Sequence, residues 1–207
     1  MRSPWLEIPL EDYEAYMALP AIGQAPLLVE ELEIALRQRV PDACAIVGCA
    51  GGNGLEEVAL ARVRRIVGID VNPAYVAAAR QRYETAIPGL ELHVADIEQP
   101  VPACAPVDCL YAGLLFEYVA VPATLATLRT LCRPGGSLVV VLQRAQAGAS
   151  LVSVSPYASL AALVPVFQLR DPAAFRNDAM AAGFELRRSR RRVLPSGWEF
   201  EVLSFVG

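Results

Sequence analysis

Short apolar runs alternate with helical patterns through the middle of this chain, and that order limits the possible folds more than any other feature. The runs predicted to be strands are 43–47, 65–70, 90–95, 107–112 and 137–143. The helical patterns between them are 53–62, 73–86 and 123–132. Strands that are separated by helices pair in parallel through crossover connections. The alternation therefore predicts an α/β domain whose parallel sheet is buried on both faces.

The C-terminal part of the chain departs from this alternation. A helical pattern at 172–182 is followed by two strand-like runs at 184–193 and 198–206, which the turn residues Pro195-Ser196-Gly197 connect. This pattern predicts an antiparallel hairpin at one edge of the sheet. We therefore expect a three-layer, doubly wound α/β fold with seven strands, mostly parallel, and helices on both faces.

Two helical patterns, 10–18 and 26–39, precede the first predicted strand. They lie outside the strand–helix alternation, and residues 1–40 are therefore predicted to form a helical lid. Residues 41–207 then form the Rossmann-like domain, so that the chain folds as a single domain overall.

Composition excludes several classes of protein. Hydrophobic residues make up 55% of the chain, but runs such as Cys109–Phe116 are shorter than the roughly 20 residues that a membrane-spanning helix needs. The N-terminal residues are acidic where a secretory signal has its apolar region. We expect a cytoplasmic protein with no membrane partner.

Metal and nucleic-acid sites are also disfavoured. The five cysteines show no CxxC spacing and His93 is the one histidine, so no metal site is predicted. The net charge of −4 argues against a nucleic-acid partner. The arginine-rich run 187–192 fits the protected edge of a sheet better than a nucleic-acid patch. His93 is interpreted as a satisfied core histidine rather than a catalytic base.

A glycine-rich run follows the first predicted strand. It reads Gly48-Cys49-Ala50-Gly51-Gly52-Asn53-Gly54 and leads into a helix. Glycine permits sharp backbone turns and the close approach of a ligand to main-chain atoms. The helix start offers free N–H groups to a carboxylate or phosphate. The run indicates a ligand site, although an ordinary turn between a strand and a helix could have the same composition.

Carboxylates end the next two predicted strands, at Asp70 and Asp96. A carboxylate can accept hydrogen bonds from both hydroxyls of a ribose, and Asp70 follows the glycines at a spacing close to that of ribose-binding acids. Asp70 could instead, or in addition, cap the helix that begins at Pro73. Ligands of open α/β sheets bind at the carboxyl ends of the strands. The glycine run, Asp70 and Asp96 are therefore predicted to converge on one site.

These motifs resemble those of the class I, Rossmann-like methyltransferases that use S-adenosylmethionine (SAM). The first motif of that family is usually an acidic residue followed by three glycines at alternate positions, and the matching positions here are Gly48, Ala50, Gly52 and Gly54. Segments 110–113 and 115–119 match the family's region beside the transferable methyl group, and Arg133-Pro134-Gly135-Gly136 matches its turn into strand five. The resemblance covers residues 40–145 by motif and 172–207 by pattern alone.

The resemblance implies SAM as co-substrate and a set of residues that bind it. The glycine loop would wrap the methionine half of SAM, Asp70 would bind the ribose hydroxyls, and Asp96 would lie near the adenine amino group. The full set expected at SAM is Gly48, Cys49, Ala50, Gly51, Asn53, Gly54, Asp70, Val71, Asn72, Asp96, Ile97, Ala112 and Gln24.

Gly48 stands where the family commonly has an acidic residue, so another group must hold the methionine end of SAM. We expect Asn53 and the N-terminal segment to do so. The polar residues of that segment either form part of a lid or dock the first helix onto the core. The candidates for contact with the methyl acceptor are Glu117, Tyr118, Tyr13 and Tyr16. No catalytic base is assigned.

The favoured function is methyl transfer by in-line displacement. Holding two reactants in line can lower the activation barrier by about 7–11 kcal/mol, whereas a general base typically lowers it by about 3–5 kcal/mol. With no further domain to bind a macromolecule, a small-molecule acceptor is expected, and a monomer and a homodimer both stay open. The alternatives are a non-catalytic SAM or nucleoside binder and an NAD-dependent oxidoreductase. The glycines fit no register of the dinucleotide motif G-x-G-x-x-G.

Overall fold

The computed structural model describes residues 3–20, 22–38, 40–101, 103–145 and 156–207. Its strands are β1 Ala43–Val47, β2 Arg65–Asp70, β3 Leu90–Val94, β4 Val107–Gly113, β5 Cys132–Gln143, β6 Glu185–Val193 and β7 Glu199–Val206. Its α-helices are α1 Leu10–Met17, α2 Gln24–Gln38, α3 Leu55–Leu60, α4 Pro73–Tyr83, α5 Val121–Leu131 and α6 Pro172–Ala181. Two short 3₁₀ helices, Pro4–Glu7 and Ala158–Leu163, were not predicted.

The seven strands form one sheet in the order β3-β2-β1-β4-β5-β7-β6. Strands β1 to β5 are parallel, while β7 runs antiparallel between β5 and β6. The chain leaves β1 toward β2 on one side and later returns to β4 on the other. The gap between the carboxyl ends of β1 and β4 is therefore the switch point where ligands of such sheets bind. The predicted fold and C-terminal hairpin are confirmed.

Two apolar layers cover the two faces of the sheet. Helices α2, α3 and α4 pack on one face, where Leu32 and Leu55 are fully buried. Helices α5 and α6 pack on the other, where Leu125 and Phe175 are fully buried. Each such side chain contributes about 1.5–3 kcal/mol by leaving water. Burial on both faces explains why β1 is apolar throughout.

Helix α3 is shorter than its pattern suggested, at Leu55–Leu60 instead of 53–62. Gly52 and Gly54 have φ of 117° and 80°, and Arg62 has φ of 61°. Such left-handed backbone is incompatible with a right-handed helix, so α3 begins after Gly54 and ends before Arg62. The residues before α3 remain an open loop beside the sheet.

The structure does not agree with the interpretation of His93 as a satisfied core histidine. Strand β3 is the edge of the sheet, so His93 is half-buried. Its Nε2 has no hydrogen-bond partner among the described residues and lies 3.7 Å from Glu91 Oε2. The strand pattern did not reveal that β3 has one neighbour rather than two.

The arginine-rich run lies on β6, at the opposite edge of the sheet, as predicted. Arg190 and Arg192 both donate to the carboxylate of Glu31, which is 1% exposed, and Arg192 also reaches Glu30 at 2.7 Å. Arg191 pairs with Glu199 of the adjacent strand. These arginines therefore tie α2 and β7 to the sheet edge. No helix within the described ranges has the length and apolarity to cross a membrane.

Candidate active site

A cavity of about 400 Å³ opens at the switch point of the sheet. This volume suits a small-molecule site. Its walls come from the loops after β1, β2, β3 and β4, from the N-terminal segment, and from residues 160–167. The sheet thus brings one wall together, and segments outside the strand–helix alternation complete the other.

The glycine loop after β1 is held in a left-handed turn. Gly48 and Ala50 have φ of 78° and 45°, and the N–H groups of Gly48 and Cys49 donate to the Ile69 carbonyl at 2.8 and 3.2 Å. The N–H of Ala50 donates to Asp70 Oδ2 at 2.8 Å. Left-handed backbone at a non-glycine residue costs about 1–2 kcal/mol, and this charged hydrogen bond offsets part of that cost. Alanine therefore serves where the family motif has glycine.

Asp70 is buried at the end of β2 and lines the cavity. Its Oδ1 accepts from the N–H of Asn72 at 2.9 Å. Burial raises the pKa of this carboxyl, while the backbone donors, Asn72 and Ala50 among them, act in the opposite direction. The cap of α4 is Asn72, whose Oδ1 accepts from Ala74 N–H at 2.9 Å. The open question of whether Asp70 caps that helix is answered: Asn72 does.

The structure brings together about half of the residues expected at SAM. Those that line the cavity are Gly48, Ala50, Asp70, Val71, Asp96, Ile97 and Gln24. Those that do not are Cys49, Gly51, Asn53, Gly54, Asn72 and Ala112. All four acceptor-side candidates, Glu117, Tyr118, Tyr13 and Tyr16, line the cavity.

The expected residues outside the cavity wall have structural contacts instead. The Nδ2 of Asn53 donates to the Tyr13 hydroxyl at 3.0 Å, and the Nδ2 of Asn72 donates to the Trp5 carbonyl at 2.8 Å. A Cβ on Gly54 would lie 2.9 Å from Leu32. These residues position the loop and the N-terminal segment around the cavity.

The N-terminal segment is fastened across the glycine loop. Glu14 of α1 forms a two-bond ion pair with Arg82 of α4, and Arg82 Nη1 also donates to the Gly51 carbonyl at 3.1 Å. The Tyr75 hydroxyl donates to the Ile8 carbonyl at 3.0 Å. Together with Asn53 and Asn72, these contacts bring Trp5 and Tyr13 into the cavity wall.

Aromatic rings form the wall opposite the strand ends. The Trp5 ring meets Tyr13 and Tyr118 edge-on, with ring centroids 5.7 and 5.0 Å apart. Tyr118 meets Phe167 in the same way at 5.6 Å. Leu160 and Leu163 of the second 3₁₀ helix pack against this group. The wall is mainly apolar, and its side chains carry phenol hydroxyls and the indole N–H of Trp5 as polar groups.

Glu117 is the most deeply buried acid of the cavity, with 1% of its surface exposed. Its Oε1 accepts from the N–H of Gln143 at 2.7 Å, and its Oε2 has no hydrogen-bond partner within the described part of the chain. Burial raises the pKa of this carboxyl to about 7, and the Gln143 N–H acts in the opposite direction. Glu117 can therefore take up or release a proton near neutral pH.

Several cavity residues were not predicted from the sequence. Gln143 ends β5 and lies 3.5 Å from Gln24, Oε1 to Nε2. The rule that polar residues at strand ends face the site could have found it. Trp5, Leu160 and Phe167 lie in segments without a regular pattern, and no local signal marked them.

The sheet order and the cavity at its switch point define the class I methyltransferase fold. Residues 46–140 match the family model described as a methyltransferase domain. This match and the solved structures that share the fold are consistent with the class I, Rossmann-like methyltransferase family. A search of curated proteins finds no match.

Solved structures share this fold over most of their length. N-methyltransferase NodS from Bradyrhizobium japonicum WM9, in complex with S-adenosyl-L-homocysteine (SAH), has a TM-score of 0.69 at 16% identity, over 96% of this chain and 97% of that one. Magnesium protoporphyrin IX methyltransferase (ChlM) from Synechocystis PCC 6803 with bound SAM has a TM-score of 0.71 at 12% identity, over 98% and 92%. The [4+2]-cyclase SpnF has a TM-score of 0.68 at 15% identity, over 86% and 80%. At these identities the likeness establishes the fold.

Proposed function

We propose that this protein is a SAM-dependent methyltransferase that acts on a small molecule. One observation carries the proposal: the Gly48–Ala50 turn, Asp70 and Asp96 lie along the same cavity that continues to the aromatic wall. A site with these two parts can hold a nucleoside-bearing methyl donor on the strand-end side and an acceptor on the aromatic side. The solved relatives with bound SAH or SAM support the assignment of the donor.

The residues present fit SAM at the strand-end side. Asp70 retains lone pairs for ribose hydroxyls after accepting from Ala50 and Asn72. Val71 and Ile97 offer apolar contacts to a base, and Asp96 is exposed beside them as an acceptor for an amino group. A side chain at Gly48 would meet Leu115 at 3.4 Å. The absence of a side chain there leaves the turn open to a ligand.

The charge of the cavity distinguishes SAM from NAD. Of the described residues that line it, four are acidic (Asp70, Asp96, Glu98 and Glu117) and none is basic. Acidic walls stabilise a sulfonium cation. The same walls repel the two phosphates of a dinucleotide. The cavity therefore supports the methyl donor over the oxidoreductase alternative.

The SAM sulfonium supplies an electrophilic methyl group when bound. The protein then has to orient the donor and the acceptor and to exclude water from them. Asp70 and the glycine loop fix the donor, and the aromatic wall positions the acceptor in line with the methyl group. We assign residues 1–40 as the lid and 41–207 as the methyltransferase domain, because Trp5, Tyr13 and Tyr16 close the cavity from the N-terminal side.

Calorimetric titration tests the donor assignment. SAH and SAM should bind the full chain, and NAD should not. Tight NAD binding without SAM binding would refute the proposal. Turnover is then measured as SAH formation with a panel of small acceptors. Binding of SAM without turnover of any acceptor would favour the alternative of a non-catalytic SAM-binding protein.

A further inference from the structure

We propose that Glu117 accepts the proton of the methyl acceptor, and that this acceptor is an uncharged, flat aromatic molecule bearing a hydroxyl or an amine. The inference deepens the proposed function and rests on it. It gives a role to a buried carboxylate and names the class of molecule that the aromatic wall selects.

The first argument is the position of the carboxylate. Glu117 follows β4 and lies in the cavity, where Oε1 is fixed by the N–H of Gln143 at 2.7 Å. The second oxygen, Oε2, is buried without a donor in the described structure. A buried carboxylate oxygen without a partner is costly. An O–H or N–H group of a ligand would satisfy it.

Few charged groups face this carboxylate. Arg170 lowers the pKa of Glu117 only weakly compared with burial. Its guanidinium donates instead to the Phe116 and Val119 carbonyls at 2.7 and 2.8 Å. The neighbouring hydroxyl is that of Tyr118, whose own pKa is raised mainly by burial and also by Glu117. Arg170 therefore positions the segment that carries Glu117 and leaves Oε2 to the ligand.

The second argument is the shape and polarity of the opposite wall. The ring of Tyr118 lies edge-on to the rings of Trp5 and Phe167. Aromatic rings bind another ring by stacking or by edge-to-face contact. The lining residues in the described structure include no basic side chain that could pair with an acidic acceptor. These features disfavour a carboxylate or a phosphate. A protonated amine has no lone pair to attack the methyl carbon, so a flat, uncharged aromatic molecule is favoured.

The chemical step balances with these groups alone. A lone pair on the acceptor oxygen or nitrogen forms a bond to the methyl carbon as the carbon–sulfur bond breaks. The electrons of that bond stay on sulfur, which becomes the neutral thioether of SAH. The acceptor proton moves to Glu117 Oε2, which becomes a neutral carboxylic acid. The products thus replace a buried sulfonium and a buried carboxylate with two neutral groups.

Binding to the SAH complex tests the acceptor class without requiring turnover. The probes are 2-naphthol and 2-naphthylamine, which carry an O–H or N–H group. Two matched ligands serve as controls: 2-methoxynaphthalene lacks a hydrogen-bond donor, and 2-naphthoate carries a negative charge. The first two should bind at least about tenfold more tightly than the others. In Glu117→Gln this preference should shrink severalfold. Equal binding of all four, or preferential binding of 2-naphthoate, would overturn the proposal.

The pH dependence of turnover tests proton acceptance for any probe that is methylated. For the wild type, kcat/KM should rise with pH through a pKa of about 7, because the base must be ionised. Glu117→Gln should lower kcat by about 10²–10⁴-fold, with SAH affinity retained and the step at pH 7 lost. Glu117→Asp should recover part of the rate. An unaltered pH profile in Glu117→Gln would refute the role of Glu117.

A control variant separates this role from general effects of removing a buried acid. Glu201 is also buried, accepts from Arg144 and Ser189, and does not line the cavity. Glu201→Gln should leave the ligand preference and the pH profile unchanged below its melting temperature. If SAH fails to bind even the wild type, the proposed function fails. If SAH binds and the ligand preference is absent, only the present inference fails.

Discussion

The backbone N–H of Ala50 donates to Asp70 Oδ2 at 2.8 Å. This bond links the loop after β1 to the end of β2, and it holds Ala50 in the left-handed conformation. The same carboxylate lines the cavity. One residue thus fixes the shape of the glycine loop and also faces the ligand, so its removal should affect folding and binding together.

Replacing Asp70 with alanine should weaken SAH binding at least about tenfold, because hydrogen bonds to a charged group contribute about 1.5–3 kcal/mol. It should also lower the melting temperature, because the Ala50 and Asn72 N–H groups lose their acceptor. Calorimetry and thermal melts measure the two effects. The matched control is Asp178→Ala at an exposed position on α6. Unchanged SAH affinity with a lower melting temperature would leave Asp70 a purely structural role.

Glu117 should make the wild type less stable as the pH rises. Its pKa is raised to about 7 in the folded protein from the ordinary 4.5. A raised carboxyl pKa favours the folded state below pH 4.5, and this stabilisation is lost as the pH rises through 7. The shift corresponds to roughly 3 kcal/mol at most.

Glu117→Gln should therefore exceed the wild type in unfolding free energy at pH 8, with the difference shrinking toward pH 4.5. Urea titrations at both pH values measure it. A difference that does not depend on pH would show that Glu117 is not perturbed in this way. Such a gain in stability with loss of activity is common for active-site residues.

The ion pair between Glu14 and Arg82 should control the dissociation of SAH more than the stability of the fold. Both side chains are partly exposed, at 35% and 43%, and such pairs contribute about 0–1 kcal/mol. Arg82→Ala should accelerate SAH dissociation severalfold, because α1 is then less firmly held over the glycine loop.

Stopped-flow kinetics measures this rate, and Glu84→Ala, at the exposed C-terminal cap of the same helix, is the control. A double-mutant cycle with Glu14→Ala isolates the coupling between the two side chains. Additive effects in the cycle would contradict a role for the pair.

Asn72 has two separable functions. Its Oδ1 caps α4, and its Nδ2 holds the Trp5 carbonyl at 2.8 Å. Asn72→Ala removes both and should cost about 0.5–2 kcal/mol for the cap alone. Asn72→Ser retains a cap acceptor and loses only the contact with Trp5. Denaturant titration should rank the serine variant above the alanine variant, and equal losses would show that the cap contributes little.

Local sequence patterns predicted the strands accurately where burial is complete. The bounds of β1 and β2 were predicted as the structure has them, because a strand buried on both faces is a continuous apolar run between turn residues. Strand β5 begins at Cys132, five residues before the predicted start at 137, and its first residue pairs with Val107 of β4. That pairing depends on a neighbour that the local pattern does not include.

The sequence alone determined the fold class, the placement of the glycine loop and Asp70 at one edge of the sheet, and the resemblance to SAM-dependent methyltransferases. These follow from the hydrophobic periodicity of the sequence, from the residues at the strand ends and from the backbone conformations that glycine permits, all of which are properties of short stretches of sequence. Only the tertiary structure decided that Trp5 and Phe167 share a wall with Glu117, and that Glu117 Oε2 is buried without a partner among the described residues. Burial and proximity result from contacts with residues that are distant in sequence. The pKa of a carboxyl depends on those contacts rather than on its neighbours in the chain.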